Sequence, residues 1–203
     1  AQWNKEPLPT HADLFAIAGT SAGTVMAVGD KGTTVLFNGS AWTLVPQSAT
    51  AENLRAVHAA SQGGFQVAGW SGTTLWRDAT GWRLGVSGSL LFDVAEGPGG
   101  TAYAIGANGA NLRSGGASWT QLPIPTTRNL FGAANHLGNL VVVGDTGAIF
   151  RYDGSLWRNE SRASRRLLRS IWADRLGNAF IVGEEGTTLR YLSNQWVESP
   201  PVT

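Results

Sequence analysis

Cysteine is absent from the 203-residue sequence, which rules out a disulfide framework, thiolate metal ligands and a cysteine nucleophile. Charge is sparse: Asp, Glu, Lys and Arg together make up 14% of the chain, nearly balanced at a net +1, and lysine occurs only at Lys5 and Lys31. Such a balance supplies no broad basic field, so nucleic acid is not an expected partner. No apolar run reaches the roughly 18 to 20 residues that a membrane-crossing helix needs, so no membrane span is expected. His11, His58 and His136 stand at no zinc-binding spacing with Asp or Glu, and there is no Gly-x-Ser-x-Gly elbow. The reading from these absences is a protein that is not an enzyme and has no metal or cofactor. A start at Ala1 rather than Met suits removal of a signal peptide, and a secreted or periplasmic location is expected.

Glycine, by contrast, is abundant, at 27 residues, and it is periodic. One glycine recurs at Gly29, Gly69, Gly106, Gly144 and Gly183, and a second follows three residues later at Gly32, Gly72, Gly109, Gly147 and Gly186. A tryptophan follows each pair, at Trp42, Trp82, Trp119, Trp157 and Trp196, and a leucine precedes each, at Leu14, Leu54, Leu91, Leu130 and Leu168. Three markers sharing one period of about 39 residues signal a repeat array. Between them lie short runs rich in Val, Ile, Thr, Phe and Trp, bounded by Gly, Asn, Asp or Ser, and no window keeps the i, i+3, i+4, i+7 spacing of a helix.

The fourth unit shows the plan: strand A over Leu130 to Ala134, B over Leu140 to Val143, C over Ala148 to Tyr152 and D over Trp157 to Glu160. Four antiparallel strands repeated five times predict an all-β, five-bladed β-propeller filling 1–203 as a single domain. The expected blades are 10–47, 48–87, 88–125, 126–163 and 164–203. An extra D-type strand around Trp3 occupies 1–9, and the Trp196 strand is preferred for the place the two would share. The protein is expected to be a monomer, or a weak oligomer through the Trp3 strand.

The run Val-Gly-Asp-x-Gly-x-Ile-x-Arg-Tyr-Asp-Gly-x-x-Trp at Val143 to Trp157 resembles the repeat of bacterial secreted propellers of the photosystem II assembly-factor type, and the Asp-box hairpins of sialidases. The likeness implies a propeller, on which assembly factors, lectins and enzymes are all built. An Asp-box carries a Ser and places its Asp five residues before the Trp, whereas Asn38, Asp78 and Asp153 stand four before theirs. The assembly factors have seven blades against five units here.

Positions that break the repeat are the candidates for binding. Trp70 stands at a B–C turn where other units have Asp30, Ala107, Asp145 or Glu184. His58 and Trp172 occupy a strand A position that is Ala18, Ala95 and Ala134 elsewhere. Arg162, Arg165 and Arg166, with Arg158 and Arg169, crowd positive charge into one D–A loop, suited to an acidic partner. The expected function is a binding module for a protein partner, acting as an interaction or assembly scaffold. A lectin holding a glycan on aromatics in the clefts between blades is the alternative, and a glycosidase using the turn carboxylates Asp30, Asp145 and Glu184 the second alternative.

Overall fold

The computed structural model describes residues 5–20, 23–46, 50–78, 81–115, 118–161 and 166–199. The chain forms five four-stranded antiparallel sheets, each a meander in sequence order, as the repeat predicts. The first is β1 (Leu14–Gly19), β2 (Val25–Gly29), β3 (Thr34–Phe37) and β4 (Trp42–Leu44). The second is β5 (Leu54–Ala59), β6 (Phe65–Gly69), β7 (Thr73–Asp78) and β8 (Gly81–Val86). The third is β9 (Leu91–Glu96), β10 (Ala102–Gly106), β11 (Asn111–Ser114) and β12 (Trp119–Gln121). The fourth is β13 (Leu130–His136), β14 (Asn139–Gly144), β15 (Ile149–Tyr152) and β16 (Trp157–Asn159). The fifth is β17 (Leu168–Ala173), β18 (Ala179–Gly183), β19 (Thr188–Leu192) and β20 (Gln195–Glu198).

The first strands of successive sheets pack side by side: β1 on β5, β5 on β9, β9 on β13 and β13 on β17. These strands form the inner edge of the arc of sheets. The A–B turns lie at one end of them, the A–B mouth, and the B–C turns and D–A loops at the other, the B–C mouth. The Trp196 strand is the fourth strand of the fifth sheet; Trp3 lies outside the described residues.

The two repeated glycines of the B–C connection serve different ends. Gly147 has φ 69 and follows Thr146 at φ 50, so a left-handed pair closes the turn. Gly144 is extended, with φ −172; a Cβ there would overlap the carbonyl oxygen of Asn129, where the neighbouring strand passes. The sequence presents both as turn glycines, but the first is set by close backbone approach. At the C–D turn, Asp153 Oδ1 accepts the backbone N–H groups of Ser155 and Leu156, both at 2.9 Å, and Asn38 does the same for Ser40 and Ala41. A side chain that mimics a turn carbonyl explains why Asn or Asp recurs there.

Four hydrophobic cores join the five blades, among the described residues, each mixing residues from two neighbours. In the last of them Val141 and Val143 meet Leu168, Ile171, Ile181 and Trp196. Each fully buried valine contributes about 1.5–3 kcal/mol. A polar latch accompanies this core. Arg151 pairs with Glu160 at 2.6 Å, stacks over Tyr191 at 4.9 Å and donates from Nη1 to His136 Nδ1 at 3.1 Å. His136 Nε2 donates to the Gly177 carbonyl at 3.0 Å, and the Trp196 indole N–H donates to Glu160 at 2.9 Å. The latch satisfies a buried cation, a buried histidine and a buried indole at once. His136 is therefore part of the framework.

Candidate functional site

A pocket of about 680 Å³ opens at the A–B mouth. Blades two to five converge on it, with Val94, Ala95, Ala133, Ala134 and Ile171 as apolar walls. Polar groups enter from separate blades: His58 from β5, Glu96 from β9, Asn135 from β13, and Asp174 and Arg175 from the turn after β17. Its volume falls within the 300–1,000 Å³ typical of ligand sites.

Most of these polar groups are occupied by the fold. Asp174 Oδ1 accepts the N–H groups of Leu176 and Asn178, and the Asn178 side chain, bonded to its other oxygen, is first among the interactions that lower the Asp174 pKa. Asn135 donates to the Gly97 carbonyl and accepts from Gly138. His58 differs. Its Nε2 is buried, has no hydrogen-bond partner and stands 3.9 Å from Glu96, whose other oxygen accepts the Ser61 N–H at 2.7 Å. Burial lowers the His58 pKa against the opposing pull of Glu96, leaving a neutral imidazole at pH 7.

Two apolar side chains form the lip. Trp172 is 57% exposed, with its ring 6.3 Å from Phe180. Leu137 is 60% exposed and sits at φ 53 in the β13–β14 turn, followed by Gly138 at φ 80. That turn geometry favours Asn-Gly, and a bulky side chain held left-handed and in solvent is strained. Deeper in the wall, Asp93 accepts the Ala133 N–H at 2.8 Å, tying the third blade to the fourth. Burial pushes its carboxyl up to about 6 despite the N–H groups of Ala133 and Val94 that favour its charge.

The candidates read from the sequence separate onto two ends. His58 and Trp172 meet at the A–B mouth. Trp70 lies at the B–C end, 39% exposed, with the Arg55 guanidinium 5.2 Å from its ring. Arg166 is also at that end, and its charge is shared with Glu185 at 3.0 Å and Glu198 at 3.1 Å. Arg158 and Arg169 pair with Asp153 and Glu184. Arg162 and Arg165 lie outside the described residues.

Sequence reasoning missed Glu96, Asp93 and Leu137. Two signals were available: Asp93 and Glu96 are the acidic residues among the five A strands, and Leu137-Gly138 puts leucine where a two-residue turn wants Asn or Asp. Among the described residues, no group of His, Asp and Glu is placed to hold a metal, and no helix is long and apolar enough to cross a membrane.

No family model matches the sequence, and no curated protein matches it. The similar structures are β-propellers. A virginiamycin B lyase from Staphylococcus aureus, a catalytically inactive histidine-to-alanine variant with Quinupristin, superposes with a TM-score of 0.80 at 15% identity, covering 95% of this chain and 71% of that one. YCF48 bound to D1 peptide superposes at 0.68 and 16% identity, covering 94% and 68%. The extracellular domain of a hybrid two component system from B. thetaiotaomicron gives 0.66 and 11%, covering 90% and 28%. These likenesses show the fold. They also correct the expectation that the chain is not an enzyme, because the same fold carries a lyase. That expectation rested on linear motifs, and a propeller gathers its site from different blades: His58 and Glu96 are 38 positions apart and meet only in space.

Proposed function

We propose that the chain binds a peptide segment of a partner protein at the A–B mouth. The observation that carries this reading is the pocket itself, in which apolar walls, the His58–Glu96 pair and the exposed Trp172 and Leu137 converge from four blades. An apolar side chain of the peptide fits the Val94, Ala133 and Ile171 walls, a donor group meets His58 and Glu96, and Trp172 and Leu137 cover the backbone. The peptide-bound state of YCF48 supports the same class of ligand. The test is selection of a displayed random peptide library on the immobilised protein. Peptides should be enriched on wild type and on Trp70→Ala and lost on Trp172→Ala; equal enrichment on Trp172→Ala would refute this placement.

A second reading, catalysis at the same mouth, is favoured by the His58–Glu96 pair. A neutral imidazole can take a proton, and a carboxylate 3.9 Å away stabilises the imidazolium that forms, which is what an elimination asks of its base. The lyase structures make a streptogramin B antibiotic the first compound to try. Turnover that chromatography detects with wild type and not with His58→Ala supports this reading; an unchanged compound opposes it.

A further inference from the structure

Each blade passes the same two side chains of its second strand to the next blade. Met26 and Val28, Gln66 and Ala68, Tyr103 and Ile105, and Val141 and Val143 are all at most 1% exposed. In the fifth blade these positions are Phe180 and Val182, and they are 37% and 48% exposed. The first blade shows the reverse side of the same deficit. Ile17 is 64% exposed, whereas Val94, Ala133 and Ile171 at the equivalent place are buried against the preceding blade. Among the described residues, the five blades thus have four cores between them, and the outer faces of the first and fifth carry core-type residues with no further blade against them.

We infer that these two faces are docking surfaces for two further four-stranded sheets of the same repeat, which complete the ring. The residues specify the partner, since Phe180 and Val182 repeat the apolar pattern that the first, third and fourth blades offer to the next. The gap specifies its size: five units match 71–72% of the three lyase chains, so the remainder is worth about two more. The amino-terminal segment marks the same boundary. The Trp42 indole N–H donates to Glu6 at 3.1 Å, 36 positions upstream, as the Trp196 indole donates to Glu160, also 36 upstream, across a blade junction. Glu6 therefore stands where the outer strand of a preceding blade would place its carboxylate. A second copy of the five-blade arc does not fit, because it brings three sheets too many.

The test extends the full chain at its carboxyl end with a repeat of its third and fourth units (88–163) and compares it with the original. The extended chain should melt about 5 °C or more higher and bind less of a hydrophobic dye. Val182→Asp should leave the midpoint of the original chain unchanged and cancel the gain in the extended one. An extended chain with unchanged midpoint and dye binding would overturn the proposal. Light scattering on the original chain decides independently of whether the extension folds: a monomer whose dye binding falls in Phe180→Ser supports it, and a dimer dispersed by Val182→Asp overturns it in favour of a second copy.

Discussion

The two mouths, at opposite ends of the inner strands, are built from the same five units, yet they differ in what is left unsatisfied. At the B–C end, turn N–H groups are claimed by the next blade, as when Lys31 donates to Asn53 and Asn108 to Asn129. Arg166 and Arg169 are paired there, and Arg55 stacks over both Phe15 and Trp70. At the A–B end the turns differ from unit to unit, and they leave a pocket, an unpartnered imidazole nitrogen and a strained, exposed leucine. The repeat is kept where blades lock together and relaxed where a ligand can be read. A mouth that varies is free to specialise because the opposite mouth holds the geometry.

The largest expected contrast between the ends is between two glycines. Gly144→Ala should cost about 3 kcal/mol or more in urea unfolding, because its methyl has no room beside Asn129. Gly138→Ala at the A–B turn meets open space and should cost only about 1 kcal/mol for its left-handed backbone. Comparable losses would erase the distinction.

Asp93 gives the next effect. Its folded pKa of about 6 lies above the ordinary 3.8, so the folded state binds the proton more tightly than the unfolded chain does. Stability contributed by the protonated form is complete below about pH 4 and lost as pH rises to about 6. Asp93→Asn removes that dependence, so the fall in stability between about pH 4 and pH 6 should vanish, at the cost of one of the two N–H groups that the carboxylate accepts. Parallel pH–stability curves for the two proteins would contradict this.

Leu137→Gly should raise stability by about 0.5–1 kcal/mol by relieving the left-handed leucine, while weakening peptide capture. A gain in stability with unchanged capture would remove Leu137 from the site. The smallest effect is Arg166→Ala, whose exposed pairs should be worth under about 1 kcal/mol and less in high salt, with no change in capture.

The fold was legible because its signal is redundant: glycine, tryptophan and leucine markers each mark the same period, and any one would place the turns. The site was legible only as departures from that period. His58 and Trp172 stand out because alanine holds their position elsewhere, and their shared place late in strand A puts both near one mouth, whereas Trp70 in a B–C turn and Arg166 in a D–A loop sit at the other. Asp93 and Glu96 were visible as acids in an inner strand, yet their meaning depends on the Ala133 N–H and on His58, which other blades supply. Arg166 and Arg169 read as part of a free basic patch because their partners Glu184, Glu185 and Glu198 lie further along the chain.

The most direct test of function at the A–B mouth places a photo-crosslinking side chain at position 172 in one variant and at position 70 in another, each exposed to the same peptide library. The account predicts covalent capture of peptide at position 172, competed by unlabelled peptide, and none above background at position 70. Capture at position 70 alone would show that the wrong end of the inner strands has been assigned.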